Sequence, residues 1–193
     1  MKDKITTRYS LLEKIRDRYD KDSWEDFIKY YSPYIRSVLY SLRIDSADID
    51  DLLQEVNLKV WKKLPDFDYQ KNLGGLRAWF CTVTRNSVID FINSHQARRQ
   101  RDHDYSDSRQ KLNELESIIQ LEWKKHISKL AWQKVNESMT PNAIACFKRY
   151  AEGEGIEDIA ASLQIRSNSV YVYCKRVRHQ LRREIIEAEQ NLG

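Results

Sequence analysis

Asp48, Asp50, Asp51 and Glu55 crowd one stretch, DIDDLLQEVNLKVW, and Asp90 follows further on. Grouped carboxylates have two uses. They can hold a Mg²⁺ ion for phosphoryl chemistry, or they can present an acidic face to a basic partner. Read at helical spacing, Ile49, Leu53, Val56, Val60 and Leu64 form one apolar stripe, and Asp51, Gln54, Glu55 and Leu58 fall opposite it. On this reading no Lys or His base is positioned with Asp51 and Glu55, which weighs against hydrolytic chemistry. A solvated face has no use for a bare Leu58, whereas a contact face does.

The cations are also grouped. Arg166, Lys175, Arg176, Arg178, Arg182 and Arg183 follow one another with His179 and no acid among them, and Arg98, Arg99 and Arg101 form a second knot. Two separate basic patches fit a nucleic acid touched twice. They also fit two solvated helix ends, where cations complement the dipole. The three cysteines, Cys81, Cys146 and Cys174, are far apart in sequence and show no C-x-x-C spacing. They read as buried thiols rather than zinc ligands or a disulfide framework. No metal and no cofactor is expected.

These groups must be carried by helices. The chain has 193 residues, 32% of them charged, a formal net charge of +4, and only 5 Gly and 3 Pro. That scarcity of turn formers disfavours an all-β fold. No segment has signal-peptide or membrane-spanning character, so a cytoplasmic protein with no membrane partner is expected. Leu11, Leu12, Ile15 and Tyr19 predict a short first helix. Ser23 reads as the N-cap of a second, with Asp26 in its third position, and Pro33 predicts a kink or break. A helix over Ala47–Leu64 ends at Pro65. The loop PDFDYQKNLGG leads to a helix over Leu76–Asn93. ARRQRDHDYSDSRQKLN is polar, nearly free of aliphatics, and reads as a linker. Leu115 to Trp132 predicts one or two helices, and Thr140-Pro141 starts another that stops at Gly153 or Gly155. The expected architecture is therefore all-α: two helical domains, residues 1–96 and 114–193, joined by a flexible linker at 97–113.

The last two helices have the logic of a helix-turn-helix. Ile156, Ile159, Ala160 and Leu163 line one face of the first. Ile165 plugs the corner and Ser167 caps the second, whose inward stripe is Val170, Cys174, Val177 and Leu181. Asn168, Ser169, Tyr171, Val172, Lys175, Arg176 and Arg178 are left facing outward or sideways. In such a motif the second helix enters the DNA major groove, its polar and apolar probes meet base edges, and its cations meet phosphates.

At this point both halves resemble one family. DLLQEVNLKVWKKLPDFD (51–68) is similar to the polymerase-binding part of region two of bacterial sigma factors of the extracytoplasmic-function branch. GGLRAWFCTVTRNSVIDFINSHQARR (74–99) is similar to the promoter-melting part, and IEDIAASLQIRSNSVYVYCKRVRHQLRREI resembles region four. The resemblance covers roughly residues 23–99 and 121–185. It implies a transcription initiation factor, not an enzyme, that binds core RNA polymerase and both double-stranded and melted promoter DNA. Asp51, Gln54, Glu55 and Leu58 would dock on a basic coiled coil of the largest polymerase subunit. Asn86 would capture a base of the minus-ten element, with Arg77, Arg85, Arg98, Arg99 and Arg101 on phosphates. Trp79 and Phe80 are expected in the core. Arg166, Ser167, Asn168, Ser169, Tyr171, Val172, Lys175, Arg176 and Arg178 would meet the minus-thirty-five element. An anti-sigma factor is a common partner in the family, although no residue here identifies one. Where many relatives carry Lys or Arg, Ser and Arg, this chain has Tyr171, Val172 and Tyr173, which implies a different upstream preference. The competing reading is a free-standing helix-turn-helix regulator that needs no polymerase; it leaves the Asp51 face without a purpose.

Overall fold

The computed structural model describes residues 21–67, 75–98 and 102–192, with side chains for 21–67, 75–94 and 113–190. The predicted first helix over Leu11–Tyr19 lies outside them. The described residues are helical, with α1 Lys21–Ser41, α2 Ser46–Lys63, a 3-10 turn Leu64–Asp66, α3 Gly75–Arg98, α4 Asp102–Ser138, α5 Pro141–Ala151, α6 Ile156–Ser162 and α7 Ser167–Leu192. Among them no helix is long and apolar enough to cross a membrane. The chain divides into two compact units, one reaching His126 and the other Ile127–Gln190.

The first unit is built on aromatic packing. Phe27, Tyr31, Tyr34, Ile35, Val38 and Leu39 recur at i, i+4, i+7, i+8, i+11 and i+12 along α1, and all are buried. Tyr31 meets Phe80 of α3 at 4.8 Å between ring centroids, and Tyr34 meets Trp123 of α4 edge-on at 5.2 Å. This burial explains why α1 runs unbroken through Pro33, where a break was expected. A helix-interior proline costs about 3 kcal/mol. Each large apolar side chain buried on the flanking turns returns about 1.5–3 kcal/mol, so packing prevails. Ser23 lies inside this helix and is buried, so it is not the N-cap. On α2 the buried stripe is wider than predicted, because Leu52 joins Ile49, Leu53, Val56 and Val60.

The segment expected as a flexible linker, 97–113, is mostly helical backbone: α3 runs to Arg98, and α4 begins at Asp102. ARRQRDHDYSDSRQKLN holds neither Gly nor Pro, the strongest helix breakers, so its polar composition is compatible with helix. The division between the units falls instead between His126 and Ile127. Residues to its N-terminal side, expected in the second domain, belong to the first: Ile119 and Trp123 are buried there, and the carbonyl of Ile119 accepts the Tyr34 hydroxyl at 3.4 Å.

In the second unit the local signals operate as physics predicts. Thr140 Oγ1 accepts the Ala143 N–H, with Pro141 in the first turn. At the end of α5, Gly153 takes φ +93°, and the N–H groups of Gly153 and Glu154 return to the carbonyls of Tyr150 and Arg149. That is a Schellman cap. The same motif ends α6, where Gln164 at φ +54° donates to Ala161 and Ile165 donates to Ala160. Ile165 then packs against the cluster of Cys146, Ile159, Ala160, Val170 and Cys174. At the start of α7 the N–H of Ser169 bonds to the carbonyl of Arg166 at 2.8 Å. This puts Arg166 in the capping position and Ser167 in the first helical position, so the helix starts one residue earlier than expected.

Candidate interaction surfaces

The acids that open α2 have separate tasks. Asp45 Oδ1 accepts the Ala47 N–H at 3.2 Å and caps the helix. Asp48 sits in the first turn, where the helix dipole favours it. Asp50 pairs with Arg36 of α1 at 2.7 Å. Asp51, Gln54 and Glu55 remain exposed, on the side of α2 away from its buried stripe. Leu58 beside them is 49% exposed. Sequence reasoning missed Trp61, which is 36% exposed and lies three residues past Leu58 and seven past Gln54, on the same face. Its helical spacing was the signal that could have found it. Among the described residues no group of three or more His, Cys, Asp or Glu gathers as metal ligands would.

A lysine does stand with these carboxylates, contrary to the sequence expectation. Lys59 Nζ lies 2.8 Å from Glu55 Oε1 and 3.1 Å from Asp90 Oδ2, so one ammonium joins α2 to α3. Partial burial works against its charge, but the bonds to Glu55 and Asp90 outweigh that and raise its pKa. Lys59, Lys63, Val83, Asn86, Ile89 and Asp90 line a pocket of about 300 Å³. Asn86 is exposed there, with its amide able both to donate and to accept.

Arg77 goes elsewhere. Its Nη2 donates to Gln120 Oε1 at 2.6 Å, and its guanidinium lies 5.2 Å from the centroid of the Trp123 ring. Nine residues separate Arg77 from Asn86, which places them on opposite sides of α3. Arg85 is exposed. Arg98 ends α3 with its side chain outside the description, and Arg99 and Arg101 lie outside the described residues. Phe80 is fully buried, as expected. Trp79 is half-buried against Phe67 at 5.3 Å.

On α7, Val170, Cys174 and Val177 are buried, and Leu181 packs partly buried beside them. Arg166, Ser167, Asn168, Lys175, Arg176 and Arg178 are exposed, and Ser169 is half-buried. Tyr171 and Val172 are exposed apolar groups on the same helix. The three thiols are free and buried, and burial pushes each of them up, away from the thiolate a metal would need.

Residues 27–98, which hold the α2 face and the Asn86 pocket, match the family model for Sigma-70 region 2. In that region the chain is similar to sigma-70 factors of the extracytoplasmic-function branch. It is 26% identical over 96 residues to the ECF RNA polymerase sigma factor SigK of Mycobacterium ulcerans (strain Agy99), covering 50% of each chain. It is 24% identical over 87 residues to SigK of Mycobacterium bovis (strain BCG / Pasteur 1173P2) and of Mycobacterium tuberculosis (strain ATCC 25618 / H37Rv), covering 45% of this chain and 46% of each relative. The chain thus spans about half the length of the curated relatives it matches. Within the region 2 match, the acidic α2 face and the Asn86 pocket meet through Lys59.

Proposed function

We propose that this chain is a transcription initiation factor that binds core RNA polymerase and directs it to promoters. The observation that carries the reading is the α2 face. Asp51, Gln54 and Glu55 surround an exposed Leu58 and Trp61, opposite an intact core stripe, within the region 2 match. A polar rim around an apolar centre is how stable interfaces are built. The Asn86 pocket, with Lys59 and Lys63 on its wall, supports capture of an unpaired base of the minus-ten element, its phosphate drawn by the lysines. The outward face of α7 supports contact with the minus-thirty-five duplex, α6 and α7 acting as a helix-turn-helix. Polymerase performs the bond chemistry, and this chain supplies recognition.

The test is co-purification of the full chain with bacterial core RNA polymerase, wild type beside Asp51→Lys/Glu55→Lys. Wild type is expected to be retained and the double reversal lost, with helicity by circular dichroism unchanged. Retention of both would overturn the docking assignment. Retention of neither, with promoter DNA bound by the chain alone, would favour the free-standing regulator.

A further inference from the structure

Along α7 lies an apolar groove of about 400 Å³, lined by Tyr150, Ile156, Tyr171 and Val172 together with Val170 and Cys174 of the buried stripe, with Lys175 and Arg178 beside them. Its apolar groups are accessible: Tyr171 is 61% exposed, Tyr150 41% and Val172 37%. No acid lines the groove, and residues 166–178 of the sequence hold none. The groove therefore suits an anion that projects small apolar groups. Val172 has no hydrogen-bonding atom in its side chain, so it can tell one base from another only by apolar contact. In the major groove one base edge alone carries an apolar group, the C5-methyl of thymine.

We infer that Tyr171 and Val172 are specificity-determining residues that select thymine in the upstream promoter element, with its methyl group seated in this groove. Lys175 and Arg178 hold the flanking phosphates and fix the register, while Val172 supplies the discrimination. The inference rests on the reading of α7 as the upstream-element helix and adds the base that it selects.

The experiment uses the full chain bound to core polymerase. Duplexes are selected from a random pool, and each thymine of the selected upstream element is then replaced in turn by deoxyuridine, which pairs identically and lacks only the methyl group. At least one replacement is expected to weaken binding about fourfold, the worth of one buried methyl group. In Val172→Ala that penalty should shrink below about twofold, since the contact is already gone. Helicity and retention on polymerase show that the variant is folded. Selected duplexes without thymine, or a deoxyuridine penalty equal in wild type and Val172→Ala, would overturn the inference while leaving upstream recognition intact. Failure to select any upstream sequence would overturn the α7 reading and the inference with it.

Discussion

Leu52 and Leu58 are the same residue type on the same helix, with opposite tasks. Leu52 is 1% exposed and Leu58 is 49% exposed. Leu52→Ala should cost about 2–5 kcal/mol, from lost burial plus the cavity left behind. Leu58→Ala should change stability by less than about 0.5 kcal/mol, as surface changes usually do. If α2 docks on polymerase, the order reverses for binding: Leu58→Ala should weaken retention about tenfold, in the range for an apolar group at an interface centre. Urea unfolding and a polymerase titration on the two variants would separate these roles. Equal stability loss would mean that the stripe is misassigned. Sequence reading found Leu58 but left out Leu52, because a narrow stripe at i, i+4, i+7 omits the i+3 position that broad burial also uses.

At the scale of elements, the helix ends hold the most local information. Gly153 sits at φ +93° with no atom within 4 Å of a Cβ added there. Gly153→Ala should therefore destabilise by about 1–2 kcal/mol for purely conformational reasons. Gln164 is the reverse case. It occupies the equivalent cap position of α6 at φ +54° and carries a side chain there. Gln164→Gly should relieve that strain and stabilise by up to about 1 kcal/mol, net of the greater unfolded-state entropy of glycine. Thermal melts of the two variants should move in opposite directions, and shifts of the same sign would show that backbone conformation does not set these ends. Thr140-Pro141 and Gly153 were legible in the sequence because cap chemistry is local. Pro33 was not, since its local signal to break the helix lost to burial of Tyr31, Tyr34 and Ile35, which depends on partners distant in the chain.

At the scale of the whole molecule, periodicity shows that a face is buried but not what covers it. Leu115, Ile119 and Trp123 announced a buried face on α4, but that the cover comes from the first unit is a tertiary fact. The α2 face was legible because exposure beside an intact stripe is visible at helical spacing. Arg77 was not, because its bond to Gln120 closes over many intervening residues. Burial spread over both units also gives the protein one global response, to alkali. Burial raises Cys81, Cys146 and Cys174 above the ordinary thiol value of 9.0. Tyr34, fully buried beside the Cys81 thiol, is raised above 10.0 by burial first and by Cys81 second. Above pH about 9 the unfolded chain therefore loses protons that the folded chain keeps. Stability then falls with rising pH, by at most about 1.4 kcal/mol per pH unit for each such group. Urea midpoints should be flat from pH 7 to 8.5 and decline beyond it. The combined variant Cys81→Ala/Cys146→Ala/Cys174→Ala should start lower, because it loses packing, but decline less between about pH 8.5 and 9.5, the interval in which unfolded thiols ionise. An unchanged slope in that variant would mean that the thiols do not supply the response.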